Sequence, residues 1–514
     1  MARPRGRHSR RTKRLTPRRW LPFVVLVAVI TVGVAVQDQT TESGPNPVAV
    51  TSAAARIPVA AESAAISTAW YCAGGTATGN GAAELTVVIA NAHDLGATAE
   101  VTAVSDDGRR RRTTLMVPAN GRTRVVASEI LKADWIGLTI EVFGGLATVE
   151  REVSGPTGID ASPCSTNAAA TWFVPSGSTV REAKEYLTLF NPFPDATSVD
   201  ITFATDDGAK NPRSLRGYVV PARSLRVVAV GNSLPARKEI AAKIRARTGR
   251  IVVDRVQIYS GRGDPVPAGD SGVATPAPQG LASTAAFPAT SDRWRFAHAR
   301  KDPGTRTQLA IYNPGNRFAR VDVSIGFENP NRHARVEPMQ LDIRAGEETV
   351  LDLTSLGTIA EGVPFSIDVH SIDAVPVVAE QLVFGAAARG PVAGFSAVAG
   401  SPVAAGSWFM ASRGQTKIHD ASVVVVNPGS ATVTVTVKAI VAGTRSKVTG
   451  ATVKVPAGDR RVLDLSGAPM NPALLVSATG PIVVGHLVVV PGGDGLSQSL
   501  ATPLPETVVE LPKT

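Results

Sequence analysis

Leu187-Thr188-Leu189-Phe190-Asn191-Pro192 is a short, mostly apolar stretch that ends in asparagine and proline. The chain contains four versions of this stretch. Each is followed by a second stretch in which apolar residues alternate, such as Val199 to Phe203. A period of two places one face of a strand in a core and the other in water, as in antiparallel sheets. The other versions are Leu85-Thr86-Val87-Val88-Ile89-Ala90-Asn91, Leu309-Ala310-Ile311-Tyr312-Asn313-Pro314 and Val423-Val424-Val425-Val426-Asn427-Pro428.

An aromatic pair or near pair opens each copy, and its tryptophans recur at intervals of 102, 122 and 114 residues. About seven short strands in roughly 100 residues is the size of an immunoglobulin-like sandwich. The sequence therefore predicts an all-β chain, a tandem array of about four immunoglobulin-like β-sandwich repeats after one N-terminal transmembrane helix. Sandwiches of this size can fold as separate beads. We expect the repeated tryptophans in the cores rather than on ligand platforms; they are Trp70, Trp172, Trp294 and Trp408.

Short helices are expected late in the first two copies. The spacing of Ile240 and Ile244, with Gly249 beyond them, predicts a helix over 235–247. A shorter helical piece is expected over 128–134.

Basic residues are concentrated at the N-terminus. The first 19 residues carry nine lysines and arginines, and the remaining residues carry 44 against 43 acids. A nucleic-acid-binding protein needs a basic face on its folded part. The charge distribution therefore argues against nucleic acid as a partner.

An uncharged apolar run follows the basic tail. About 17 apolar residues from Trp20 to Val36 are at the short end for a spanning helix. A basic flank predicts that the N-terminus stays inside and the bulk of the chain lies outside the cytoplasmic membrane. A cleaved signal peptide is the alternative, because Gly33-Val34-Ala35 offers a small-residue cleavage site. The long basic region favours a retained, single-pass signal-anchor, and both readings predict export.

These patterns divide the chain into eight parts. Residues 37–66 lack a helical or strand period and are rich in Ala, Ser, Thr, Pro and Val, which is typical of a flexible spacer. The predicted parts are a basic cytoplasmic tail (1–19), a transmembrane signal-anchor (20–36), the spacer (37–66), β-sandwich repeats at 67–165, 166–288, 289–402 and 403–505, and a C-terminal tail (506–514).

Cys72 and Cys164 are the two cysteines of the chain. Two cysteines in an exported protein favour a disulfide, here one that would pin the first repeat. The alternative is a pair of buried free thiols. Without a Cys-x-x-Cys motif, neither thiol exchange nor a structural zinc site is indicated.

The motifs do not point to catalysis, a metal or a cofactor. Gly269-Asp270-Ser271-Gly272 matches the nucleophile motif of chymotrypsin-like proteases, which also needs a histidine held by a buried aspartate. The one upstream histidine outside the tail, His93, belongs to another repeat and lacks that context. The seven histidines show no metal-binding spacing. We therefore expect no catalytic, metal-binding or cofactor-binding residues and predict that the chain is not an enzyme.

Further similarity lies in how a repeat opens and closes. In the second copy Trp172-Phe173 opens the unit, Asn191-Pro192 ends a strand, and Asp254-Arg255 precedes the glycine-rich stretch 269–272. These features resemble a bacterial cell-surface module found beside exported peptidases and wall amidases. Over residues 67–500 the chain resembles an actinobacterial family of uncharacterised single-pass envelope proteins. The fourth copy departs from the pattern, with Gly485-His486 in place of the acidic–basic pair. The resemblance implies location and fold, and no activity.

Three functions stay open. The first is a non-enzymatic, membrane-anchored extracytoplasmic scaffold or binding protein, whose partners are envelope proteins or cell-wall glycans and whose specificity lies in sandwich-end loops. The second is a glycan-binding protein, for which an aromatic content of 5% is low. The third is a secreted hydrolase, which needs a deep polar cleft with a perturbed carboxylate or a Ser–His pair. A pocket of that kind between repeats would favour the hydrolase, and its absence would leave the scaffold.

Overall fold

The computed structural model describes residues 53–262, 277–328, 336–385, 394–412, 420–441, 443–465, 468–469, 471–490 and 495–512. Most regular elements in these ranges are strands, which confirms the all-β prediction. Their helices are short: α1 spans Ala127–Ile130, and 3₁₀ turns span Arg213–Leu215, Val230–Asn232 and Pro505–Thr507. No helix in the described ranges has the length and apolar character needed to cross a bilayer. The predicted anchor over 20–36 lies outside them.

The strands fall into four consecutive segments. The first segment (67–163) contains β1 Ser67–Ala77, β2 Glu84–Asn91, β3 Ala97–Ser105, β4 Arg110–Val117, β5 Gly121–Val126, β6 Ala133–Phe143, β7 Ala147–Gly155 and β8 Gly158–Pro163. The second (171–285) contains β9 Thr171–Val174, β10 Ala183–Asn191, β11 Thr197–Thr205, β12 Gly208–Lys210, β13 Tyr218–Val220, β14 Ser224–Ala229, β15 Ile240–Ala246, β16 Val252–Ser260 and β17 Gln279–Ala285. The third (293–399) contains β18 Arg293–Arg300, β19 Thr305–Tyr312, β20 Ala319–Phe327, β21 Met339–Ile343, β22 Glu348–Asp352, β23 Pro364–Ser371, β24 Val378–Gly385 and β25 Gly394–Ala399. The fourth (403–510) contains β26 Val403–Met410, β27 Asp420–Val426, β28 Val433–Val441, β29 Thr444–Val455, β30 Arg460–Leu463, β31 Ala473–Val489, β32 Leu496–Leu500, β33 Thr502–Pro503 and β34 Val508–Glu510.

Each segment forms two packed sheets with the same strand order. We call the first the axial sheet: β5-β2-β7-β8, β14-β10-β16-β17, β22-β19-β24-β25 and β30-β27-β31-β32 in the four segments. The companion sheet is β4-β3-β6-β1, then β9-β15-β11 with β12 and β13, then β18-β23-β20-β21, then β29-β28-β31-β26. The pairing is antiparallel apart from one parallel pair that joins β1 to β2. In the fourth segment the 17-residue strand β31 runs through both sheets.

The axial sheets close the four segments into a ring. β8 packs against β17, β17 against β25, β25 against β32, and β32 against β8. Glycine permits the close approach of these strands: a Cβ on Gly280 would lie 2.2 Å from the backbone nitrogen of Phe395, and one on Gly394 would lie 2.9 Å from that of Leu496. The segments are therefore not separate beads, as their size had suggested.

The ring explains why some strands are apolar on both faces. Val88 and Ala90 of β2 point out of the core of their own segment and pack with Phe409 of the fourth segment. Val424 and Val426 of β27 pack in the same way toward the third segment. The expectation that one face meets water suits β3, whose burial alternates, but it is wrong for β2 and β27. Strands buried on both faces read as continuous apolar runs.

The four predicted core tryptophans are all fully buried. Three of them also donate a hydrogen bond through the indole Nε1 to a backbone carbonyl. The acceptor lies at the start of the middle strand of the axial sheet, or at the point in β31 where its axial part begins. Each of these bonds connects the companion sheet to the axial sheet within one segment. They join Trp172 to Ile251 (2.8 Å), Trp294 to Val377 (3.0 Å) and Trp408 to Ile482 (2.9 Å).

The repeated asparagine holds a loop at the end of each such strand. The Nδ2 of Asn427 donates to the carbonyls of Ala431 (2.7 Å), Val455 (3.0 Å) and Pro456 (3.0 Å). Its Oδ1 accepts from the backbone N–H of Gly429 at 2.9 Å. One side-chain amide thereby forms hydrogen bonds with backbone groups of its own loop and with carbonyls of the turn before β30. The same pattern of bonds is made by Asn91, Asn191 and Asn313.

Asn427→Ala is expected to lower the free energy of unfolding by about 1–3 kcal/mol, because the buried carbonyl of Val455 loses its side-chain donor. Urea denaturation followed by tryptophan fluorescence measures the change. Asn232→Ala, at an exposed position, is the control and should leave the midpoint almost unchanged. Equal midpoints for the two variants would contradict the assigned role.

The predicted helix over 235–247 is wrong. Residues Ile240–Ala246 form β15, a companion-sheet strand, and both Ile240 and Ile244 are fully buried. Residues four apart share a face in a strand as well as in a helix, so their spacing alone could not separate the two. The piece predicted over 128–134 is helical only in α1, since β6 begins at Ala133.

The predicted spacer and tail are also wrong where the structure describes them. Ala53 and Ile57 are buried in the core of the fourth segment, and the N–H of Ala60 donates to the carbonyl of Pro503 at 3.0 Å. In the tail, β34 pairs with β26, and Arg56 contacts Glu510 at 2.9 Å. Small apolar side chains without a period give no local signal, yet they can fill a groove that the folded segments supply.

Candidate functional site

Polar and charged residues occupy equivalent positions on the middle strands of the axial sheets, in otherwise apolar surroundings. In the first three segments these positions form a dipeptide that begins with an acid and is deeply buried. The dipeptides are Glu150-Arg151 in β7, Asp254-Arg255 in β16, Glu380-Gln381 in β24 and Gly485-His486 in β31.

Between the first and second segments the dipeptides form a buried ion pair. Arg151 Nη1 donates to Asp254 Oδ2 at 2.6 Å, and both side chains are 0% exposed. The same carboxylate accepts the backbone N–H of Ala73 at 2.6 Å. This pair therefore joins β7 of one segment to β16 of the next.

Between the second and third segments the pairing is bidentate. Arg255 Nη1 and Nη2 donate to Glu380 Oε2 and Oε1 at 2.7 and 2.8 Å. The hydroxyl of Ser176 donates to the same carboxylate. Two parallel N–H···O bonds fix orientation as well as charge.

The remaining two interfaces depart from this pattern. At the third, Gly485 replaces the acid, and a Cβ there would lie 2.8 Å from the Cβ of Ala297. At the fourth, Glu150 accepts the backbone N–H groups of Ala411 (2.9 Å) and Ser412 (3.2 Å). Burial raises the pKa of Glu150 to about 8. Two interfaces of the ring are thus joined by a buried ion pair, and the other two are not.

A cavity of about 610 Å³ lies between the second and third segments, beside the Arg255–Glu380 pair. This volume is typical of sites for small ligands. The second segment supplies residues around β9 and from β16, and the third supplies residues of β19, β22, β24 and β25. Its walls include Ser176, Gln257, Tyr259, Gln308, Glu348 and Phe384.

Two carboxyl groups at this cavity have no hydrogen-bond partner among the described residues. Both oxygens of Glu348, which lines the cavity, are buried and unpartnered. Both oxygens of Glu185 are likewise buried and unpartnered, and the residue is only 2% exposed. It lies directly behind Gly177, where an added Cβ would be 2.3 Å from its Oε2.

Burial perturbs the pKa of both groups. It raises the pKa of Glu185 to about 8, with Glu380 raising it further and Arg255 lowering it. Burial raises the pKa of Glu348 well above its usual range, and the nearby carboxylates of Glu239, Glu185 and Glu380 act in the same direction. Such shifts are a property of functional sites as well as of buried ion-pair networks.

Aromatic rings form another wall of the cavity. The centroid of Tyr259 lies 5.4 Å from that of Phe384 and 4.9 Å from that of Phe395. The guanidinium of Arg306 lies 5.0 Å from the centroid of Phe384. The cavity therefore combines aromatic surface with unpartnered hydrogen-bond acceptors.

A second cavity, of about 320 Å³, lies at the equivalent place between the fourth and first segments. The strand positions of Gln308, Val350, Leu382 and Phe395 are here Thr86, Arg124, Glu152 and Ile159. Arg124 and Glu152 form an ion pair at 3.4 Å. The two cavities therefore share a position and differ in chemistry.

The structure joins Cys72 to Cys164 in a disulfide between residues that are fully buried. The motif around Ser271 lies outside the described residues, as do His8, His333 and His419. Within the described residues no group of three or more His, Cys, Asp or Glu side chains could hold a metal ion. None of the predicted disulfide or core tryptophan residues lines the larger cavity, whereas Arg255 of the repeat pattern does.

Sequence reasoning missed Glu185, Glu348 and Arg306. The available signal is weak: Glu185 is an acid on the face of its strand that Leu187 and Leu189 share. The dipeptide Asp254-Arg255 is recognisable in the sequence as a repeat feature, but its contacts between segments become visible only in the fold.

Comparisons with known proteins give a match to one family model over part of the chain and a few structural likenesses. A model of a family of unknown function, DUF5719, matches residues 143–383, which include both buried ion pairs and the carboxylates of the larger cavity. The crystal structure of Thermotoga maritima 1070 is similar at 21% identity and a TM-score of 0.18, covering 22% of this chain and 93% of that one. The Anabaena sensory rhodopsin transducer is similar at 19% identity and a TM-score of 0.16, covering 18% and 96%. A tetra-tandem repeat from the extending region of a large adhesion protein is similar at 12% identity and a TM-score of 0.12, covering 84% of this chain and 100% of that one. No curated protein matches the chain.

Proposed function

We propose that this chain is a non-enzymatic, membrane-anchored extracytoplasmic binding protein of the bacterial cell envelope. The leader over 20–36 anchors it in the cytoplasmic membrane with the N-terminus inside, and the four segments are immunoglobulin-like repeats outside. The basic flank, the similarity to envelope proteins and the disulfide support this location, since disulfides persist in oxidising compartments. Envelope proteins and cell-wall glycans are the candidate partners.

The observation that carries the proposal is the 610 Å³ cavity between the second and third segments. A scaffold alone would have no reason to keep Glu348 and Glu185 buried without hydrogen-bond partners, because each such group costs free energy. The ring holds the two walls together through Arg255 and Glu380. A rigid, preorganised pocket favours ligand binding over a purely structural role.

A hydrolase is the second candidate, because the cavity is a polar pocket between segments with a perturbed carboxyl group. Acid–base catalysis by two carboxyl groups needs environments that push their pKa values apart. Here the pKa values of Glu185, Glu239 and Glu348 are all raised. No histidine is among the described residues that line the cavity. The geometry therefore supports binding better than hydrolysis.

Val350→Trp is expected to fill the cavity and abolish ligand retention, because Val350 lines it. The full chain and the variant would be incubated with a small-molecule extract of cell envelopes, dialysed and analysed by mass spectrometry. The unsubstituted chain should retain a compound that the variant does not, at the same mass as in the extract. A compound recovered as cleaved products would favour the hydrolase instead.

Val462→Trp is the matched control. Val462 occupies the equivalent strand position in the fourth segment and is 42% exposed, so this variant should retain the compound. If the unsubstituted chain retains no compound that the Val350→Trp variant lacks, the binding function is overturned. Membrane fractionation and protease accessibility of intact cells test the location separately.

A further inference from the structure

The walls of the larger cavity contain more carboxylates than cations. Both signs come from the second and the third segment. Charges buried in one cavity interact strongly, because little water screens them. The carboxylates that line the cavity or lie directly behind its lining are Glu182, Glu185, Glu239, Glu348 and Glu380, and the cations are Lys238, Arg255 and Arg306.

The cations are already engaged or exposed. Both terminal nitrogens of Arg255 bind the carboxylate of Glu380. Arg306 Nη2 donates to Gln308 Oε1 at 3.2 Å, and its guanidinium lies over Phe384. Lys238 and its neighbour Glu239 are both exposed to solvent, so neither changes the balance of the buried charges. The acidic excess is therefore left around Glu348 and Glu185.

Glu348 and Glu185 require donors that the described residues do not supply. Their four carboxyl oxygens are buried without a hydrogen-bond partner. A ligand that brings N–H or O–H groups would satisfy them. A ligand that also carries positive charge would relieve the repulsion between these carboxylates, which a neutral ligand cannot do.

The rest of the lining suits the apolar part of such a ligand, with Val350 next to Glu348 and aromatic rings further along the cavity. Tyr259, Phe384 and Phe395 form a cluster with centroid separations of 4.9–5.4 Å. Aromatic rings bury apolar surface and attract cations through their faces.

We propose that this cavity binds a small organic cation, a protonated primary amine on an apolar body. The ammonium group donates to Glu348, and the apolar body packs against Val350 and extends toward the aromatic rings. The proposal rests on the binding function proposed above and names the class of ligand for the same site.

Proton release accompanies this binding. Burial and the carboxylates of Glu239, Glu185 and Glu380 raise the pKa of Glu348, whereas Arg255 lowers it. Tyr259, Glu182, Lys238 and Arg306 complete the ionisable groups facing the cavity. A bound ammonium group stabilises the ionised carboxylate and so lowers its pKa. Affinity for an amine is therefore expected to rise with pH between the ordinary Glu pKa of about 4.3 and the raised values.

The test uses three probes of matched size: 2-phenylethylamine, 2-phenylethanol and phenylacetate. Isothermal titration of the full chain at pH 7, in two buffers of different ionisation enthalpy, measures affinity and proton release. The amine should bind at least tenfold more tightly than the alcohol and should release protons, and phenylacetate should bind most weakly. Equal affinity for amine and alcohol, or preference for phenylacetate, would overturn the inference.

Glu348→Gln should weaken amine binding at least tenfold. Glu347→Gln is the control, because Glu347 is the neighbouring, exposed acid that pairs with Arg344. Unchanged affinity in Glu348→Gln would also reject the inference. If the chain retains an envelope compound but none of the three probes binds, the binding function stands and the amine class is wrong. If nothing binds, both fail.

Discussion

Asp254→Ala is expected to lower the free energy of unfolding by about 3–5 kcal/mol, the range for breaking one side of a buried ion pair. The substitution leaves the guanidinium of Arg151, 0% exposed, without its counter-charge. It also removes the acceptor of the Ala73 N–H. Because this contact joins two segments, the loss affects closure of the ring as well as the fold of one segment.

Urea denaturation followed by circular dichroism measures this loss. Asp200→Ala is the control, since Asp200 pairs with Arg247 at 2.7 Å on the exposed surface, and the change should be much smaller. Arg151→Met combined with Asp254→Leu should recover much of the stability, because neither charge is then left buried alone. Similar midpoints for Asp254→Ala and Asp200→Ala would show that the buried pair does not hold the interface.

Removal of the disulfide by Cys72→Ala with Cys164→Ala is expected to lower the free energy of unfolding by about 4–5 kcal/mol. The bond closes a loop with a sequence separation of 92 residues, and the value follows from the loop-closure entropy of an unfolded chain of that length. Both cysteines are fully buried, so alanine also leaves small voids.

The measurement compares urea midpoints of the oxidised chain, the chain unfolded and refolded under reductant, and the double variant. The reduced chain and the variant should unfold at similar, lower urea concentrations. If reduction leaves the midpoint of the unsubstituted chain unchanged, the bond does not stabilise the fold.

The strands and their order of appearance could be predicted from the sequence because they depend on local patterns. Alternating apolar residues marked β3 and β11, and the tryptophans marked the cores. Local spacing failed at Ile240 and Ile244, where helix and strand share the same four-residue face.

The ring and the cavity could not be predicted in this way. Arg151 and Asp254 are far apart in the sequence, and only the packing of two folded segments shows that they meet. The continuous apolar run Val423 to Val426 is typical of a strand buried on both faces, but it does not indicate what covers the second face. Likewise Glu185 and Glu348 come from different segments, so no motif could link them.

The two equivalent cavities have a consequence for how this architecture can diversify. In an assembly of identical subunits, every substitution appears in each quarter at once, so all pockets must change together. Here one polypeptide supplies all four quarters, and each quarter can accumulate its own substitutions. An aromatic, acidic pocket and a pocket with an Arg–Glu pair can therefore coexist in one molecule. Such a chain can carry chemically distinct pockets without a second gene product.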